Sequence, residues 1–313
     1  MNKETGVTVN AERAARIGAL PFDYVAQPTA AVDTCNLCGG TRFVVITHRD
    51  RYGFPSPASA CADCGLVFLN PMMTAAAYGD FYNGTYRPLV SAYHGRLIDA
   101  KSIQDEQRAY ARERAELLAS YVKGAGFRSL LDIGGSTGVV AHHLAQVFGL
   151  EATVIDPAPL EVEEARALGL ETVTSLVEDY QPDGRHFDMV GLFQTVDHLL
   201  DISRTLAIIR SLIHPLGVLF VDIVDFRAAY LRNWSVEEAV KVDHPYYLTE
   251  HTMIAYLRRA GFEPLRADYA ADHLHISYVC RPMQVQQEAL PTRDSVRALL
   301  REIRYVQNTK AAR

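Results

Sequence analysis

The sequence predicts an α/β fold in which a small zinc ribbon precedes a doubly wound, mostly parallel sheet of seven strands. Between residues 130 and 281, apolar segments of strand length alternate with amphipathic segments of helix length, which is typical of a parallel sheet covered by helices. A glycine-rich turn over residues 134–138 joins the first of these strands to a helix. Two Cys-x2-Cys pairs lie upstream. Together these features indicate a metal-binding module in front of a nucleotide-binding domain.

Length and composition limit the classes of protein to consider. A chain of 313 residues suits about two domains, and 49% hydrophobic with 22% charged residues can bury a sizeable core. The net charge of −6 provides no overall basic surface for nucleic acid. The N-terminus lacks the apolar stretch of a signal peptide, and no apolar run is long enough to cross a bilayer. We therefore expect a cytoplasmic protein without a nucleic-acid or membrane partner.

Residues 1–30 are interpreted as a leader, and residues 31–72 are predicted to form the zinc ribbon. The two cysteine pairs follow the pattern Cys-x2-Cys-x22-Cys-x2-Cys, with a glycine just after each pair. Their members are Cys35, Cys38, Cys61 and Cys64. Each pair can form a tight turn that presents two thiolates, and two such turns complete a tetrahedral Zn²⁺ shell. Four thiolates leave no open coordination position, so the ion is expected to stabilise the module and not to catalyse.

Residues 73–125 are predicted to be an aromatic connector followed by a long helix. Five tyrosine and phenylalanine residues lie between residues 78 and 93, beside Arg87. Their rings either pack onto both flanking domains or form a lid over a substrate, since tyrosine and arginine combine contact area with polar tips. The helix is expected over Asp99–Val122, because apolar residues recur there at helical spacing and Gly124 follows.

Residues 126–283 are predicted to form the sheet domain. Its strands are expected at 130–133, 153–156, 172–174, 189–193, 218–224, 262–265 and 275–280, with helices at 139–147, 161–168, 202–213 and 249–260. Residues 284–313 are predicted to form a charged helix with one apolar face, which consists of Val296, Leu299, Leu300 and Ile303. This face either docks on the body of the protein or joins a second copy in a homodimer.

The turn after the first strand has the features of a cofactor-binding loop. Glycine allows a sharp turn close to a ligand, and the following helix N-terminus offers unpaired N–H donors. Asp156 ends the second strand, 24 residues after Asp132, where an acid can accept hydrogen bonds from both ribose hydroxyls of a nucleoside. Enzymes that use NAD and enzymes that use S-adenosylmethionine share this arrangement. Asp132 favours S-adenosylmethionine, because it lies where an NAD fingerprint has glycine.

The pattern Asp-x-Gly-x-Ser-x-Gly over residues 132–138 differs by one residue from the acidic, three-glycine loop of class I S-adenosylmethionine-dependent methyltransferases. Segments 187–190 and 214–219 are similar to the starts of their fourth and fifth strands. With the zinc ribbon in front, residues 35–282 resemble the deoxysugar C-methyltransferases. The resemblance implies a Rossmann-like methyltransferase domain. It further implies that the cofactor contacts Asp132, Gly134, Gly135, Ser136, Gly138, Asp156, Glu178 or Asp179, and Gln194.

The resemblance also places a candidate base. His198 matches a histidine after the fourth strand, and Asp243 with His244 matches an adjacent acid–histidine pair after the fifth. His244, oriented by Asp243, or His198 is expected to take a proton from a sugar hydroxyl or from a sugar carbon beside a ketone. The chain departs from the family pattern, because Asp243 replaces a glutamate and Lys241 replaces a tyrosine. We also expect no counterpart of the C-terminal domain of longer members.

The sequence therefore predicts an enzyme that methylates a sugar or nucleotide-sugar at carbon or oxygen, with S-adenosylmethionine as methyl donor. Two other acceptors stay open, which are the oxygen of a small non-sugar metabolite and an RNA base. The acidic net charge argues against RNA. A non-catalytic scaffold is a further alternative, and the intact glycine loop with Asp156 argues against it.

Overall fold

The computed structural model describes the backbone of residues 3–311 and the side chains of residues 11–309. The α-helices are α1 (Lys3–Gly18), α2 (Ala75–Asp80), α3 (Tyr86–His94), α4 (Gln104–Val122), α5 (Val139–Phe148), α6 (Pro159–Ala167), α7 (Ile202–Leu212), α8 (Phe226–Asn233), α9 (Glu250–Arg259) and α10 (Arg293–Ala311). The strands are β1 (Thr29–Ala30), β2 (Phe43–Thr47), β3 (Ala58–Cys61), β4 (Val67–Leu69), β5 (Met72–Met73), β6 (Ser129–Ile133), β7 (Glu151–Ile155), β8 (Glu171–Val173), β9 (Phe187–Leu192), β10 (Ile213–Val224), β11 (Tyr246–Tyr247), β12 (Phe262–Tyr269) and β13 (His275–Pro282).

The main sheet has seven strands in the order β12-β13-β10-β9-β6-β7-β8. Strands β6 to β10 pair in parallel, and β13 runs antiparallel to both of its neighbours. The predicted doubly wound, mostly parallel Rossmann-like sheet is confirmed. The chain winds from β6 to β7 and β8 on one side and then to β9 and β10 on the other. The carboxyl ends of β6 and β9 therefore flank the point of reversal, where ligands bind in such sheets.

Helices cover both faces of this sheet. Since successive side chains of a strand point to opposite faces, each strand contributes residues to two buried cores. Leu131 faces a core that includes Ile209 of α7 and Met253 of α9. The preceding Leu130 belongs to a separate core with Leu118 of α4. The two buried faces explain why these strands are apolar throughout and do not alternate.

A second, antiparallel sheet has four strands in the order β11-β4-β3-β2. The first cysteine pair precedes β2, and the second pair lies at the turn between β3 and β4. Strand β11 comes from the segment after β10, so residues far apart in sequence share this sheet. Helix α10 packs on the same core, where Ile303 and Val306 join Ile46 and Leu69. Of the two predicted roles of the C-terminal helix, docking on the body is therefore present in the structure.

The aromatic connector is helical, which the sequence analysis did not predict. Helices α2 and α3 are joined by a π turn over Phe81–Thr85, and Thr74 caps α2 by accepting a hydrogen bond from the amide of Ala77. Tyr78 and Phe81 are fully buried, as packing onto the body predicts. None of the helices over residues 3–311 is both long and apolar enough to cross a membrane.

Two further helices differ from expectation. Helix α4 begins at Gln104, five residues after the predicted start, because Asp99 and Ser102 form a turn closed by reciprocal hydrogen bonds. Helix α8 was not predicted, and Asp225 caps it by accepting hydrogen bonds from the amides of Arg227 and Ala228.

Candidate functional site

The loop between β6 and α5 is a cradle that requires glycine at three positions, 134, 135 and 138. Gly134 has a φ of +70°, and a Cβ there would lie 2.3 Å from Cγ2 of Thr195. A Cβ on Gly135 would lie 2.7 Å from Oδ2 of Asp132. Ser136 adopts a φ of +51°, which is unusual for a residue with a side chain. The loop is therefore closely packed against the ends of β6 and β9.

Two acids lie beside this cradle, Asp132 near the end of β6 and Asp156 directly after β7. Asp132 is fully buried, and neither of its carboxylate oxygens has a hydrogen-bond partner among the described residues. Burial raises the pKa of Asp132 to about 8, and the charge of Asp156 adds to this effect. Asp156 accepts hydrogen bonds from the amides of Ser136 at 2.9 Å and Ala158 at 2.8 Å. An unpartnered buried carboxylate beside a glycine cradle suits a ligand that brings a cationic or donor group.

The other predicted cofactor residues also lie at the carboxyl ends of the strands. Glu178, in the turn after β8, accepts a hydrogen bond at 2.6 Å from Oγ1 of Thr205. Asp179 is exposed. Gln194 follows β9, is exposed and has a φ of +56°. All three lie at the carboxyl ends of the strands, on the same side of the sheet as the glycine cradle.

The structure brings His198, Asp243 and His244 together, as the sequence analysis expected. The two imidazole rings are 4.5 Å apart between centroids and nearly perpendicular. His244 Nε2 lies 3.6 Å from Oδ2 of Asp243, and its Nδ1 lies 3.9 Å from Oδ2 of Asp197. His244 is thus placed between two carboxyl groups. Thr195, which touches the glycine cradle, is only three residues from His198.

Hydrogen bonds fix the orientation of His198. Its Nδ1 lies 3.0 Å from the carbonyl oxygen of Asp243 and 2.9 Å from the hydroxyl of Tyr82. The Tyr82 hydroxyl itself donates to the same carbonyl at 2.6 Å. Because a carbonyl only accepts, Nδ1 carries the ring proton and Nε2 is the basic nitrogen. The aromatic connector therefore contacts the histidine cluster directly.

Burial keeps both imidazoles neutral. It lowers the pKa of His198 to about 4, and the charge of Lys241 acts in the same direction. Burial also lowers the pKa of His244 well below 6.5, with further contributions from Lys241, His198 and Arg51. The pKa of Asp197 is raised to about 7 by burial. A neutral imidazole has a free nitrogen that can accept a proton.

The loop between β2 and β3, in the cysteine module, holds the segment that carries Asp243. The Asp50 carboxylate accepts a hydrogen bond at 2.9 Å from the amide of Val242. The Tyr52 hydroxyl donates to Oδ1 of Asp243 at 3.0 Å. Sequence reasoning did not identify these residues, since each contact joins positions about 190 apart in the chain.

A cavity of about 150 Å³ opens beside His244. Arg51, Asp197 and Lys241 contribute polar groups to its wall, and Phe226 with Tyr247 contributes aromatic rings. The cavity lies at the carboxyl ends of β9 and β10, next to the end of the sheet where the glycine cradle is. The sequence analysis noted Lys241 only as a departure from a family pattern.

The four sulfur atoms of the cysteine pairs converge. Cys35 Sγ lies 3.5 Å from Cys64 Sγ, and Cys38 Sγ lies 3.6 Å from Cys61 Sγ. All four lie within 4.8 Å of one another. A tetrahedral site with Zn–S bonds of about 2.3 Å separates its sulfurs by about 3.8 Å, so this arrangement could hold zinc.

His198, Asp243 and His244 also offer ligand atoms within 4.8 Å of one another. This cluster could in principle hold a metal ion. Lys241 Nζ, however, lies 3.7 Å from Oδ2 of Asp243 and already places a basic group beside the carboxylate.

Comparison with known proteins adds a family and several relatives. The family model described as "Methyltransferase domain" matches residues 103–267. A ubiquinone biosynthesis O-methyltransferase from Methylocella silvestris is 30% identical over 29% of this chain and 38% of the relative. The enzyme of the same name from Xanthomonas axonopodis pv. citri is 27% identical over 55% of this chain and 78% of the relative. This chain thus spans well under half the length of the first of these relatives.

Among solved structures, the magnesium protoporphyrin IX methyltransferase of Synechocystis PCC 6803, determined with bound S-adenosylmethionine, is similar to this chain. It is 16% identical, with a TM-score of 0.49, and the match covers 66% of this chain and 96% of that structure.

Proposed function

The chain belongs to the methyltransferase-domain family, and we propose that it is an S-adenosylmethionine-dependent methyltransferase that methylates a small carbohydrate acceptor with a histidine as base. The acceptor atom is a hydroxyl oxygen or a carbon beside a ketone. The proposal depends mainly on one observation: the His198–Asp243–His244 cluster lies at the carboxyl ends of the strands, on the same side of the sheet as the glycine cradle.

The donor is proposed to occupy the cradle. When bound, S-adenosylmethionine supplies an electrophilic methyl group on a sulfonium sulfur. Asp132 would stabilise the donor's positive charge or an amide of the loop, since its buried carboxylate has no partner among residues 11–309. Asp156 would hold the ribose, and Glu178 or Asp179 and Gln194 would complete the pocket at the ends of β8 and β9.

His244 is the preferred base, because it lines the cavity at the carboxyl ends of β9 and β10 and His198 does not. Its ring is neutral, and Asp243 and Asp197 flank it at 3.6 and 3.9 Å. A carboxylate at either position would stabilise the imidazolium formed when His244 takes the acceptor proton. His198 is fixed by Tyr82 and by the Asp243 carbonyl, and it packs against His244. We assign His198 the role of positioning His244, or of base should the acceptor lie nearer to it.

The cysteine module is proposed to bind a structural zinc ion and to hold the catalytic segment in place. The proposed division is residues 31–72 for the ribbon, 73–125 for the connector and helix, 126–283 for the methyltransferase domain and 284–313 for the C-terminal helix. The pairing of β11 with β4 supports a clamping role, because it joins Tyr246 and Tyr247 to the ribbon sheet just after His244.

A second candidate function is O-methylation of a small non-sugar metabolite. The relatives named ubiquinone biosynthesis O-methyltransferase favour it, since their name describes O-methylation and no sugar. The aromatic walls of the cavity would accommodate a phenolic ring as readily as the apolar face of a sugar.

The experiment is to incubate the purified chain with S-adenosylmethionine and a panel of nucleotide-sugars, free sugars and catechols. Mass spectrometry detects a methylated product, and NMR distinguishes C-methyl from O-methyl. Methylation of a sugar supports the first candidate. Methylation confined to catechols replaces it with the second, and binding of S-adenosylmethionine without any product in the panel argues against both acceptor classes.

A further inference from the structure

The cavity beside His244 carries a cation that no carboxylate neutralises. Both Nε and Nη2 of Arg51 donate to the main-chain carbonyl of Glu238, at 3.1 and 2.8 Å. Among the described side chains, Arg51 forms no ion pair within 4.0 Å. Its positive charge reaches the neighbouring basic groups, because it contributes to the lowered pKa of both Lys241 and His244. The Arg51 guanidinium is therefore available to an anionic ligand.

Lys241 adds a second basic group to the same wall. Its Nζ lies 3.7 Å from Oδ2 of Asp243, which is too long for a hydrogen bond, and only 19% of its side chain is exposed. The Asp243 carboxylate already accepts a hydrogen bond from Tyr52. A buried ammonium group with one distant partner gains stability from a second anion.

The carboxyl group of Asp197 in the cavity wall does not oppose an anion. Asp197 uses Oδ2 to accept from the amide of Val224 at 3.1 Å and to approach His244. Its Oδ1 is buried and has no hydrogen-bond partner within the part of the chain that the structure describes. Burial raises the pKa of Asp197 to about 7, so its negative charge is reduced at neutral pH. Such a carboxyl group can donate to, or accept from, a ligand hydroxyl.

We propose that this cavity is an anion-binding part of the acceptor site, in which Arg51 and Lys241 bind a carboxylate or phosphate group of the methyl acceptor. Asp197 binds a hydroxyl of the same molecule, and the rings of Phe226 and Tyr247, whose centroids are 5.3 Å apart, pack on its apolar face. The acceptor class is thus a compact hydroxylated acid, such as a sugar acid or a sugar phosphate. This inference rests on the proposed function, since it describes the acceptor of that reaction.

The test is isothermal titration of the full chain, first saturated with S-adenosylhomocysteine, with three probes. D-glucuronate carries a carboxylate, glucose 1-phosphate carries a phosphate, and glucose carries neither. We expect one of the charged probes to bind at least about tenfold more tightly than glucose, as a charge-assisted contact predicts. Which of the two binds identifies the anionic group.

Variants assign the effect to the cavity. Arg51→Gln and Lys241→Gln are each expected to weaken binding of the charged probe about tenfold and to leave glucose binding unchanged. Arg51→Lys is expected to restore part of the loss. The matched control is Arg49→Gln, because Arg49 is exposed and lies outside the cavity. Binding of S-adenosylhomocysteine to each variant shows that its fold is intact.

Equal binding of charged and neutral probes, or no binding of either charged probe at millimolar concentration, would overturn the inference. The same holds if Arg51→Gln binds the charged probe as the parent does. If the parent chain does not bind S-adenosylhomocysteine at all, the proposed function itself is contradicted. The two failures are therefore distinguishable.

Discussion

Burial sets the ionisation of the residues around the cradle and the cavity. Asp132 and Asp197 are pushed towards their neutral forms, and the two histidines are kept free of an added proton. Sequence reasoning could name His198, Asp243 and His244, because they follow strand ends in a family pattern. It could not identify Asp50 or Tyr52, because their contacts with residues 242 and 243 exist only in the folded chain.

At the scale of single residues, we expect neither His198 nor His244 to titrate between pH 8 and about pH 5 in the folded protein. A histidine with a lowered pKa binds fewer protons when folded than when unfolded, so this pair costs stability as the pH falls below 6.5. The measurement is the pH dependence of the histidine side-chain NMR signals, assigned through His198→Gln and His244→Gln. A midpoint near pH 6.5 for either signal would show that burial does not control it.

Replacing Asp132 with asparagine tests the cofactor cradle. We expect Asp132→Asn to weaken S-adenosylmethionine binding about tenfold, because the carboxyl group can ionise beside the donor's positive charge and the amide cannot. Asp132 binds more protons in the folded chain than in the unfolded chain, so the parent loses stability as the pH rises from the ordinary value of 3.8 to the folded pKa of about 8. The melting temperature of the variant should therefore rise relative to that of the parent between about pH 4 and about pH 8, and the difference should stay level at higher pH. Calorimetry measures the affinity for S-adenosylmethionine, and thermal melts measure the melting temperature at each pH. An unchanged donor affinity would show that Asp132 does not contribute to donor binding.

At the scale of elements, the segment between β10 and α9 depends on partners from the cysteine module. Strand β11 pairs with β4, and the amide of Leu69 donates to the carbonyl of Pro245 at 3.0 Å. The sequence predicted the main-sheet strands well, because buried parallel strands are continuous apolar runs. It missed α2 and α3, because their aromatic residues suggested a connector. It also missed β11, because a two-residue strand has no periodicity to read.

Tyr52→Phe tests whether the β2–β3 loop positions Asp243. The change removes the hydroxyl that donates to Oδ1 of Asp243 and leaves a buried carboxylate oxygen unpaired. We expect turnover to fall about tenfold, with the affinity for S-adenosylmethionine unchanged. Tyr305→Phe is the matched control, because Tyr305 is exposed on α10. Turnover equal to that of the parent would indicate that Asp243 needs no support from this loop.

At the scale of the whole molecule, the segment that carries Asp243 and His244 joins the two sheets, because its strand β11 pairs with β4 of the cysteine module. Asn36, between the first two cysteines, bonds to Asp201 and Ser203 at the start of α7 and to Tyr256 of α9. The cysteine spacing predicted the convergence of the four sulfurs, since each pair forms one turn. It carried no information on what the module packs against.

Cys38→Ser tests the dependence of the molecule on zinc. We expect the parent chain to contain one zinc ion, and the variant to lose it along with thermal stability and methyl transfer. Activity should fall because the ribbon sheet holds Tyr246 and Tyr247 beside His244. Elemental analysis, thermal melts and a transfer assay measure these quantities. Cys280→Ala is the control, because Cys280 lies in the main sheet and is not one of the four cysteines whose sulfurs converge. A metal-free parent with full stability and activity would contradict the zinc assignment.

The most direct test of the account is transfer of a deuterated methyl group from labelled S-adenosylmethionine to the acceptor identified in the panel. We expect the parent chain to form the labelled product, and His244→Ala to form it at least about a hundredfold more slowly with unchanged donor affinity, because the base is gone. His142→Ala, on the outer helix α5, should behave as the parent does. Product formation by His244→Ala at the parent rate would contradict the central claim that this histidine takes the acceptor proton.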